Sequence, residues 1–439
     1  MTPGARTQAI IDIIDGITVK KVRPKTFIDR YFKLRRYAGS SDRRFVYNQV
    51  YSILRHVSRL KWWLKRSAYR MYDSPRAWVI AHALLVNQMN LQGLKVIFSG
   101  GAYSPTVLSD TERQLTDNLS FANINHTEMP DYVKFEFPAW IMESMQTTWG
   151  SSLINEIIAF NQPAPIDLRV NTLKTSVNDA MRTLNDDLIE AKKTIFSPIG
   201  LRLNGPSQIT QSRAYKMGLA ELQDEGSQLI SLMADAQPGL SVVDFCAGAG
   251  GKTLSLASTM AMNGNFRGRL LACDISKMRL QKLQARSMRA GITTIESYIL
   301  PENCDQFLTK EFGNFDRALV DVPCSNTGTW RRNPMMRWHF KKSDLDAITI
   351  KQFDILSKAA KLVSPGGKLI YATCSFLKEE NEFQIKKFLE KNNNFHVAPD
   401  NNFWIKKTGQ NPMTNIFGVR LSPATTGTDG FFCSVLQKI

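Results

Sequence analysis

Apolar residues recur at intervals of three and four along the first hundred positions. Glycine and proline are sparse over the same stretch, so the spacing predicts helices with one buried face rather than strands. We therefore expect a helical bundle from Thr7 to about Phe98, ended by a Gly/Ser/Pro-rich loop over residues 98–112. The residues that set the pattern are Ile10, Ile13, Ile14, Ile17, Val46, Val50, Ile53, Leu54, Val57 and Leu60.

Further along, the helical periodicity gives way to shorter apolar runs. Residues 138–240 mix helical runs with strand-like pieces, which predicts a small α/β domain. From residue 241, apolar runs of strand length alternate with helical stretches, which predicts parallel βαβ units in a doubly wound, Rossmann-like α/β sheet. The expected domains are a helical domain at 1–137, an intermediate α/β domain at 138–240 and an α/β domain at 241–439. The strand-length runs are SVVDFCAGAGG, RLLACDIS, TIESYILP, RALVDVPCS and GKLIYATCS.

Positive charge is concentrated at one end of the chain. The 439 residues carry a formal net charge of +17. Residues 1–100 contain 19 Lys and Arg against 5 Asp and Glu, whereas residues 101–150 contain 2 against 7. Such a basic segment is typical of proteins that bind polyanions, because each neutralised phosphate releases counterions. We expect the first hundred residues to bind nucleic acid; the alternative is a solvated basic face that serves solubility.

Within the basic segment, residues 55–70 interleave cations with aromatic side chains in the order RHVSRLKWWLKRSAYR. Cations beside aromatic rings suit phosphate binding and base stacking. Tryptophans at helical spacing, such as Trp62 and Trp63, more often belong to a core. Both interpretations of this segment stay open at the level of sequence.

Composition and cysteine usage exclude several classes of protein. A hydrophobic fraction of 43% with 22% charged residues is ordinary for a folded globular chain. The most apolar helical candidate contains His82, Asn87 and Gln88 and is too polar to cross a membrane. Acidic residues interrupt the first apolar stretch, which argues against a secretory signal. The 6 cysteines form no Cys-x-x-Cys pair or Cys/His cluster, which argues against structural zinc and predicts free thiols in the cytoplasm.

A glycine-rich turn follows the first strand of the predicted sheet. Gly248, Gly250 and Gly251 in VVDFCAGAGGKT stand between that strand and a helix, where glycines let the backbone approach a nucleotide or nucleoside. A phosphate-binding P-loop would need glycine at the position of Cys246. Asp274 ends the next strand, about 20 residues on, where a carboxylate accepts hydrogen bonds from ribose hydroxyls. The pair predicts a ribose-bearing cofactor and does not by itself separate NAD from S-adenosylmethionine.

Two later strands are each followed by a cysteine. ALVDVPCS contains Asp321 and Cys324, and LIYATCS contains Cys374. Because ligands bind beyond the carboxyl ends of parallel strands, both thiols and the carboxylate are expected to face the cofactor. A single cysteine is most often an inert core residue, but two at equivalent strand ends favour chemistry. Their positions do not say which one is a nucleophile.

These motifs resemble those of a known family. DFCAGAGGKT, DVPCSNTGTWRRNP and YATCSFLKEENE are similar to the cofactor, proline-cysteine and threonine-cysteine motifs of the RsmB/NSUN family of RNA cytosine-C5 methyltransferases. RVNTLK, LQDEGSQL and TDGFFCS extend the resemblance over residues 138–439 in the family's motif order. The basic helices of residues 1–137 resemble the NusB-like RNA-binding domain of the bacterial rRNA member, which is the closest type.

The resemblance implies a role for each reactive side chain. Cytosine C5 is a weak nucleophile, and addition of a thiolate to C6 activates it. In this family the attacking cysteine is that of the threonine-cysteine motif, here Cys374, while Cys324 assists product release. Asp321 would bind the N3/N4 edge of the cytosine. The site should also lower the nucleophile's pKa with a nearby positive charge, for which Lys252 is one candidate.

The resemblance also implies S-adenosyl-L-methionine as the cofactor. The family holds the adenine amine with an acidic residue after the third strand, and this chain has no clean match there; we expect Glu302 or Asn303 to substitute. Gly248-Ala249 stands where the family has Ala-Pro, and Met335 follows RRNP where an acidic residue is common. The expected cofactor-binding residues are Cys246, Ala247, Gly248, Ala249, Gly250, Gly251, Lys252, Asp274, Glu302, Asn303 and Asp321.

The favoured hypothesis is therefore an RNA cytosine-C5 methyltransferase that acts as a monomer on rRNA. A tRNA substrate is the first alternative. The second is a non-catalytic RNA-binding or ribosome-assembly factor on the same scaffold, against which the two cysteines and Asp321 argue. A nicotinamide dehydrogenase would have no use for two thiols at strand ends.

Overall fold

The structure is a computed structural model that describes residues 1–205, 207–262, 265–398 and 413–439. The chain divides into two compact units. One comprises Met1–Gln146 together with Trp330–Lys342, and the other comprises Thr147–Thr329 together with Ser343–Ile439. The long excursion Trp330–Lys342, which follows the proline-cysteine motif in sequence, thus belongs to the N-terminal unit.

The N-terminal unit is built from helices, as the periodicity predicts. Proline begins three of them, and Thr2 and Ser74 cap two through their side chains, since they accept from the Ala5 and Ala77 amides. A capping box between Ser109 and Glu112 begins a further helix within the polar stretch, which the sequence pattern does not predict. These helices are α1 Pro3–Lys20, α2 Pro24–Lys33, α3 Ser40–Arg55, α4 Val57–Arg66, α5 Pro75–Leu85, α6 Leu91–Ile97, α7 Asp110–Leu119, α8 Asp131–Lys134 and α9 Met142–Trp149.

The core of this unit contains the apolar stripe seen in the sequence. Ile13, Ile14 and Ile17 of α1 are fully buried against residues of α3 and α5. Trp63 is 9% exposed and donates its indole N–H to the Ile124 carbonyl at 3.1 Å. The core interpretation of Trp63 is therefore correct.

The second unit contains the remaining helices, apart from α17, which lies in the excursion. They pack on the two sheets described below. Short 3-10 turns occur at Ala139–Ile141, Gly150–Ser152, Ile209–Gln211, Thr327–Thr329 and Lys378–Glu380. The helices are α10 Leu153–Asn161, α11 Val177–Asp186, α12 Arg213–Lys216, α13 Glu225–Met233, α14 Gly251–Thr259, α15 Lys277–Ala290, α16 Asp305–Lys310, α17 Met336–His339, α18 Lys342–Ala360 and α19 Glu382–Lys391.

Two sheets organise the second unit. Their strands are β1 Asp167–Val170, β2 Ala191–Lys193, β3 Gly200–Leu203, β4 Ala220–Leu222, β5 Ser241–Asp244, β8 Arg269–Asp274, β9 Glu296–Ile299, β10 Phe315–Asp321, β11 Val363–Thr373, β12 Phe395–Val397, β13 Met413–Asn415, β14 Gly418–Leu421 and β15 Phe431–Lys438, while β6 Ala261–Met262 and β7 Asn265–Phe266 form a separate pair. The smaller, antiparallel sheet has the order β2-β3-β1-β4, and the larger has the order β13-β14-β15-β11-β10-β5-β8-β9, with β12 paired to β15.

The larger sheet confirms the predicted α/β fold. Strands β9, β8, β5, β10 and β11 pair in parallel, and β15 adds to β11 in antiparallel fashion. The strand order reverses between β5 and β10, and this switch point opens a crevice at the carboxyl ends of the strands. Val242, Val243, Leu319 and Ile370 are fully buried, as strands covered on both faces require.

No helix in the described ranges is long and apolar enough to cross a membrane. The NusB-like identity of the helical unit and the boundaries at 137 and 240 stay predictions.

Candidate active site

The glycine-rich turn lies between β5 and α14, at the switch point. Gly248 and Gly250 have φ of 56° and 83°, in the left-handed region that glycine adopts at no steric cost. A Cβ on Gly250 would lie 2.6 Å from Cγ of Leu283, so this position also requires close packing against α15. A Cβ on Gly248 would meet no atom within 4 Å. Open space therefore adjoins the turn on the side where a cofactor would lie.

Asp274, at the end of β8, stabilises this turn through a hydrogen bond. Its carboxylate accepts from the Gly248 amide at 2.9 Å and from the Ser276 amide at 2.8 Å. Arg286 of α15 adds a second anchor, because it donates to the Ala249 carbonyl at 2.7 Å. Asp274 is only 5% exposed. Its contact with a ribose stays a prediction.

Asp244 ends β5 and is a site residue that the motif reading passed over. Its side chain is 1% exposed, and one oxygen accepts from the Thr253 hydroxyl at 2.7 Å. The other oxygen has no hydrogen-bond partner among the described residues. Burial, and to a smaller extent the charge of Asp321, raises the pKa of Asp244 to about 7. The carboxyl group at the end of β5 is therefore held more easily in its neutral form than an exposed aspartate.

Lys252 and Asp321 form an ion pair across the switch point. Lys252 Nζ lies 2.6 Å from Asp321 Oδ2. Burial disfavours the charged lysine, but the Asp321 carboxylate outweighs it and holds the pKa of Lys252 above its usual value; a Cys374 thiolate acts in the same direction. Lys252 is therefore charged and close enough to Cys374 to stabilise a thiolate, although Asp321 neutralises part of its charge.

The two motif cysteines lie side by side beyond β10 and β11. Their Sγ atoms are 3.3 Å apart. Cys374 is partly exposed, whereas Cys324 is 8% exposed. The hydrogen bond to Cys374, and then burial, raises the pKa of Cys324 well above its usual value. Cys324 therefore remains a thiol at neutral pH and can donate its S–H to Cys374.

Asn326 is a second residue of this site that the motif reading missed. Its Nδ2 donates to the Cys324 carbonyl at 2.9 Å, which orients its Oδ1 towards Cys374 Sγ at 3.1 Å. The residue adopts φ 57°, which asparagine tolerates better than most residues. A thiol at Cys374 can donate to this oxygen, so Asn326 helps to hold the Cys374 side chain in place.

Glu302 and Asn303 follow β9 at the same edge of the sheet and are exposed. Asn303 Oδ1 accepts from the Asp305 amide at 2.9 Å, at the start of α16. Glu302 forms no hydrogen bond or ion pair in the described ranges. Contact of either residue with the adenine amine stays a prediction.

The remaining family-like motifs of the second unit have structural roles. Arg169 of RVNTLK is 2% exposed and donates to Gln223 and to the Leu254 carbonyl of α14. Asn171 donates to the Ala290 carbonyl at the end of α15. Asp224 of LQDEGSQL caps α13 and accepts from the Asp429 amide of TDGFFCS. These motifs join the small sheet to the cofactor side of the large one.

Several basic residues of the segment 55–70 are engaged in ion pairs, which the sequence alone does not indicate. Arg59 pairs with Glu136 at 3.0 Å, Lys61 with Asp73 at 2.5 Å, and Arg66 with Glu128. Trp62 packs against the rings of Trp63 and His126. Three of the six cations in this segment are thus paired with acidic residues, two of which, Glu128 and Glu136, come from the polar stretch that follows the helical bundle. Arg331 of the excursion is 4% exposed, so it is not a solvated surface arginine.

The second unit has the features of a Rossmann-like methyltransferase. They are the sheet order, the open glycine-rich turn, the acidic residue that accepts from this turn, and the two thiols at one edge of the sheet. A family model described as 16S rRNA methyltransferase RsmB/F matches residues 231–437, and one for the RsmF/B-like ferredoxin-like domain matches residues 137–210. The chain belongs to the RsmB/F family and is an S-adenosylmethionine-dependent RNA methyltransferase.

Relatives and solved structures agree with this assignment. A probable ribosomal RNA small subunit methyltransferase B of Synechocystis sp. is 33% identical over 70% of this chain and 67% of the relative. The ribosomal RNA small subunit methyltransferase B of Erwinia tasmaniensis is 26% identical over 91% of each chain. The crystal structure of PH0851 matches with a TM-score of 0.78 and 26% identity, over 100% of this chain and 99% of that one.

Proposed function

We propose that this enzyme forms 5-methylcytosine in RNA through a covalent adduct between Cys374 and cytosine C6. The substrate that we propose is small-subunit rRNA, because the relatives that span most of the chain are named for it. The observation that best supports this proposal is the pair of thiols, 3.3 Å apart, at the strand ends that border the proposed cofactor site. Methyl transfer to oxygen or nitrogen would need neither thiol.

The partly exposed Cys374 is the nucleophile in this proposal. Its thiolate adds to C6, and the electrons of the C5–C6 double bond make C5 nucleophilic. The Lys252 ammonium stabilises the thiolate before attack. Asp321, which ends β10 and is one third exposed, binds the N3/N4 edge of the base and supports a proton on N3 during addition. N3 releases this proton when the C4–N3 double bond re-forms on methyl transfer. The cytosine must leave its stack to admit these groups.

S-adenosylmethionine, when bound, supplies a methyl group on a sulfonium centre. The residues that would hold it are the turn from Cys246 to Lys252, Asp274 and Glu302, and the open space beside Gly248 fits such a ligand. After transfer, the C5 proton passes to water and its bonding electrons re-form the C5–C6 double bond. The Sγ–C6 bond breaks, and Cys374 leaves as a thiolate that accepts a hydrogen bond from the Cys324 thiol.

Two cysteine variants test this assignment. With an unmodified small-subunit rRNA transcript, Cys374→Ala should lose methylation and form no adduct. Cys324→Ala should retain attack but release product slowly, so that a protein–RNA adduct accumulates on a denaturing gel. An adduct from the Cys374 variant would reverse the two roles.

The alternatives differ in what they bind and modify. Bisulfite sequencing of rRNA and tRNA from cells with and without the gene separates the two substrates. A non-catalytic assembly factor would show no cofactor binding in calorimetry. A monomer in the cytoplasm stays our prediction for the enzyme's working state.

A further inference from the structure

A buried carboxylate lies behind the two thiols and bonds to both of the loops that carry them. Glu380 is fully buried, in the 3-10 turn that precedes α19. Ser325 and Ser375, each the residue after a motif cysteine, both donate their hydroxyls to Glu380 Oε2, at 2.5 Å in the case of Ser325. The Ser325 amide also donates to Oε1 at 2.8 Å. One side chain therefore fixes the residues that follow Cys324 and Cys374.

The surrounding groups make this arrangement rigid. Gln352 of α18 donates both to Glu380 Oε1 at 2.9 Å and to the Pro323 carbonyl at 3.0 Å. Thr327 Oγ1 lies 2.9 Å from Ser375 Oγ and accepts from the Phe376 amide at 3.1 Å. All these side chains are buried. The network thus crosses between the two loops and is shielded from water, where such hydrogen bonds are strongest.

The Glu380 network does more than fill space in the core. A buried carboxylate costs free energy unless its charge is paired or well hydrogen-bonded, and no cation pairs with Glu380 in the described ranges. Its stabilisation comes instead from donors on the two cysteine loops and on Gln352. Replacement by an apolar residue of similar volume would pack the same space but could not orient two serines at once.

We propose that Glu380 is the positioning residue of the thiol pair: it sets the separation of Cys324 and Cys374 by holding Ser325 and Ser375 on one carboxylate. The proposal rests on the proposed function for its catalytic consequence, because the pair matters to turnover only if one cysteine attacks and the other assists. The geometric part does not depend on RNA.

The geometric part is tested by thiol oxidation. Diamide oxidises two adjacent thiols to a disulfide and is itself reduced to the hydrazine, so its rate reports how often the Sγ atoms meet. In the folded enzyme without RNA, Glu380→Ala should slow formation of the 324–374 disulfide at least fivefold, as followed by mass spectrometry of the linked peptides. Glu380→Gln keeps an acceptor and should restore most of the rate.

Glu382 provides a matched control on the same segment. Its carboxylate binds Arg420 in a buried ion pair and does not contact Ser325 or Ser375 in the described ranges. Glu382→Ala should destabilise the fold and leave the disulfide rate within twofold of wild type. Should Glu380→Ala fail to fold, Ser375→Ala removes one of the two tethers and should slow the disulfide in the same way.

Turnover tests the catalytic part. Glu380→Ala should lower kcat for methylation at least tenfold while KM for RNA stays within twofold, because the substrate does not contact Glu380. An unchanged disulfide rate, or an equal loss in Glu382→Ala, would overturn the positioning role. A slower disulfide with unchanged kcat would overturn its importance for catalysis. Absence of methylation by the wild-type enzyme would refute the proposed function alone and leave the oxidation result standing.

Discussion

At the scale of single residues, the site depends on groups whose charge is set by burial. Cys324 is held as a thiol by its neighbour and by burial, while Lys252 keeps its charge because Asp321 pairs with it. The Asp244 carboxyl group is buried with one oxygen that has no hydrogen-bond partner among the described residues, and its pKa is raised to about 7. The cofactor crevice thus contains a carboxyl group whose ionisation opposes folding.

Asp244 should make stability depend on pH. Because its folded pKa lies above the unfolded value of about 3.9, its stabilising effect is complete below about pH 4 and is lost as pH rises towards 7. The slope approaches 1.4 kcal/mol per pH unit at most. Asp244→Asn removes this titration, so its unfolding midpoint should fall less than that of wild type between about pH 5 and pH 7. Parallel pH profiles of the two proteins, measured by thermal unfolding, would contradict the assignment.

At the scale of secondary-structure elements, Arg169 joins the small sheet to the helix that follows the glycine turn. It extends from β1 to the Leu254 carbonyl of α14 at 3.0 Å and to Ser258 Oγ at 3.3 Å. Burial lowers the pKa of Arg169 to about 10, and the negative charge of Glu221 opposes this shift. The small domain therefore helps to orient the helix whose first turn faces the cofactor.

Loss of Arg169 should loosen this connection. Arg169→Met removes the guanidinium that donates to Gln223 Oε1 and to the Leu254 carbonyl, to which Ser258 Oγ still donates, and should cost about 2–4 kcal/mol of stability in the second unit. Affinity for S-adenosylmethionine should fall with it, since α14 and the turn move together. Arg182→Met is the control, because Arg182 is exposed and pairs only with Asp179 in the described ranges. Calorimetry with the cofactor compares the two variants; equal affinities would show that the connection does not reach the site.

The secondary-structure elements show which features of the fold and site could be predicted from the sequence. The parallel strands, the glycine turn and the two strand-end cysteines followed from apolar runs and motif order, because parallel strands bring their carboxyl ends to one edge. Glu380 and Asn326 did not, since their side chains meet the two cysteine loops only when β10 and β11 pair. Asp244 did not either, because its burial at the end of β5 depends on the folded sheet and the helix that follows it. The excursion Trp330–Lys342 was also missed: its local sequence resembles a loop of the catalytic motif, and only tertiary contacts assign it to the helical unit.

At the scale of the whole molecule, ion pairs neutralise some of the cations in the first hundred residues and leave others unpaired. Several cations of α4 and α5 form ion pairs, among them Arg59 with Glu136 and Arg76 with Glu112. Near α2, Lys25 pairs with Asp29. Eight other exposed cations around α2 have no ion pair in the described ranges: Lys20, Lys21, Arg23, Arg30, Lys33, Arg36, Arg43 and Arg44. The positive surface available to RNA phosphates is therefore centred on α2 rather than on residues 55–70.

Matched double variants test where RNA binds. Arg30→Gln with Lys33→Gln removes two unpaired cations, and Lys61→Gln with Arg66→Gln removes the same charge from paired ones. Because each neutralised phosphate contributes about 0.7–0.9 to the slope of log affinity against log salt, the first variant should lose about 1.4–1.8 of that slope and the second clearly less. The readout is rRNA affinity over a salt series, with S-adenosylmethionine affinity as a reference that salt should barely change. Equal losses in the two variants would mean that charge acts without a defined surface, and no loss in either would exclude these helices from RNA binding.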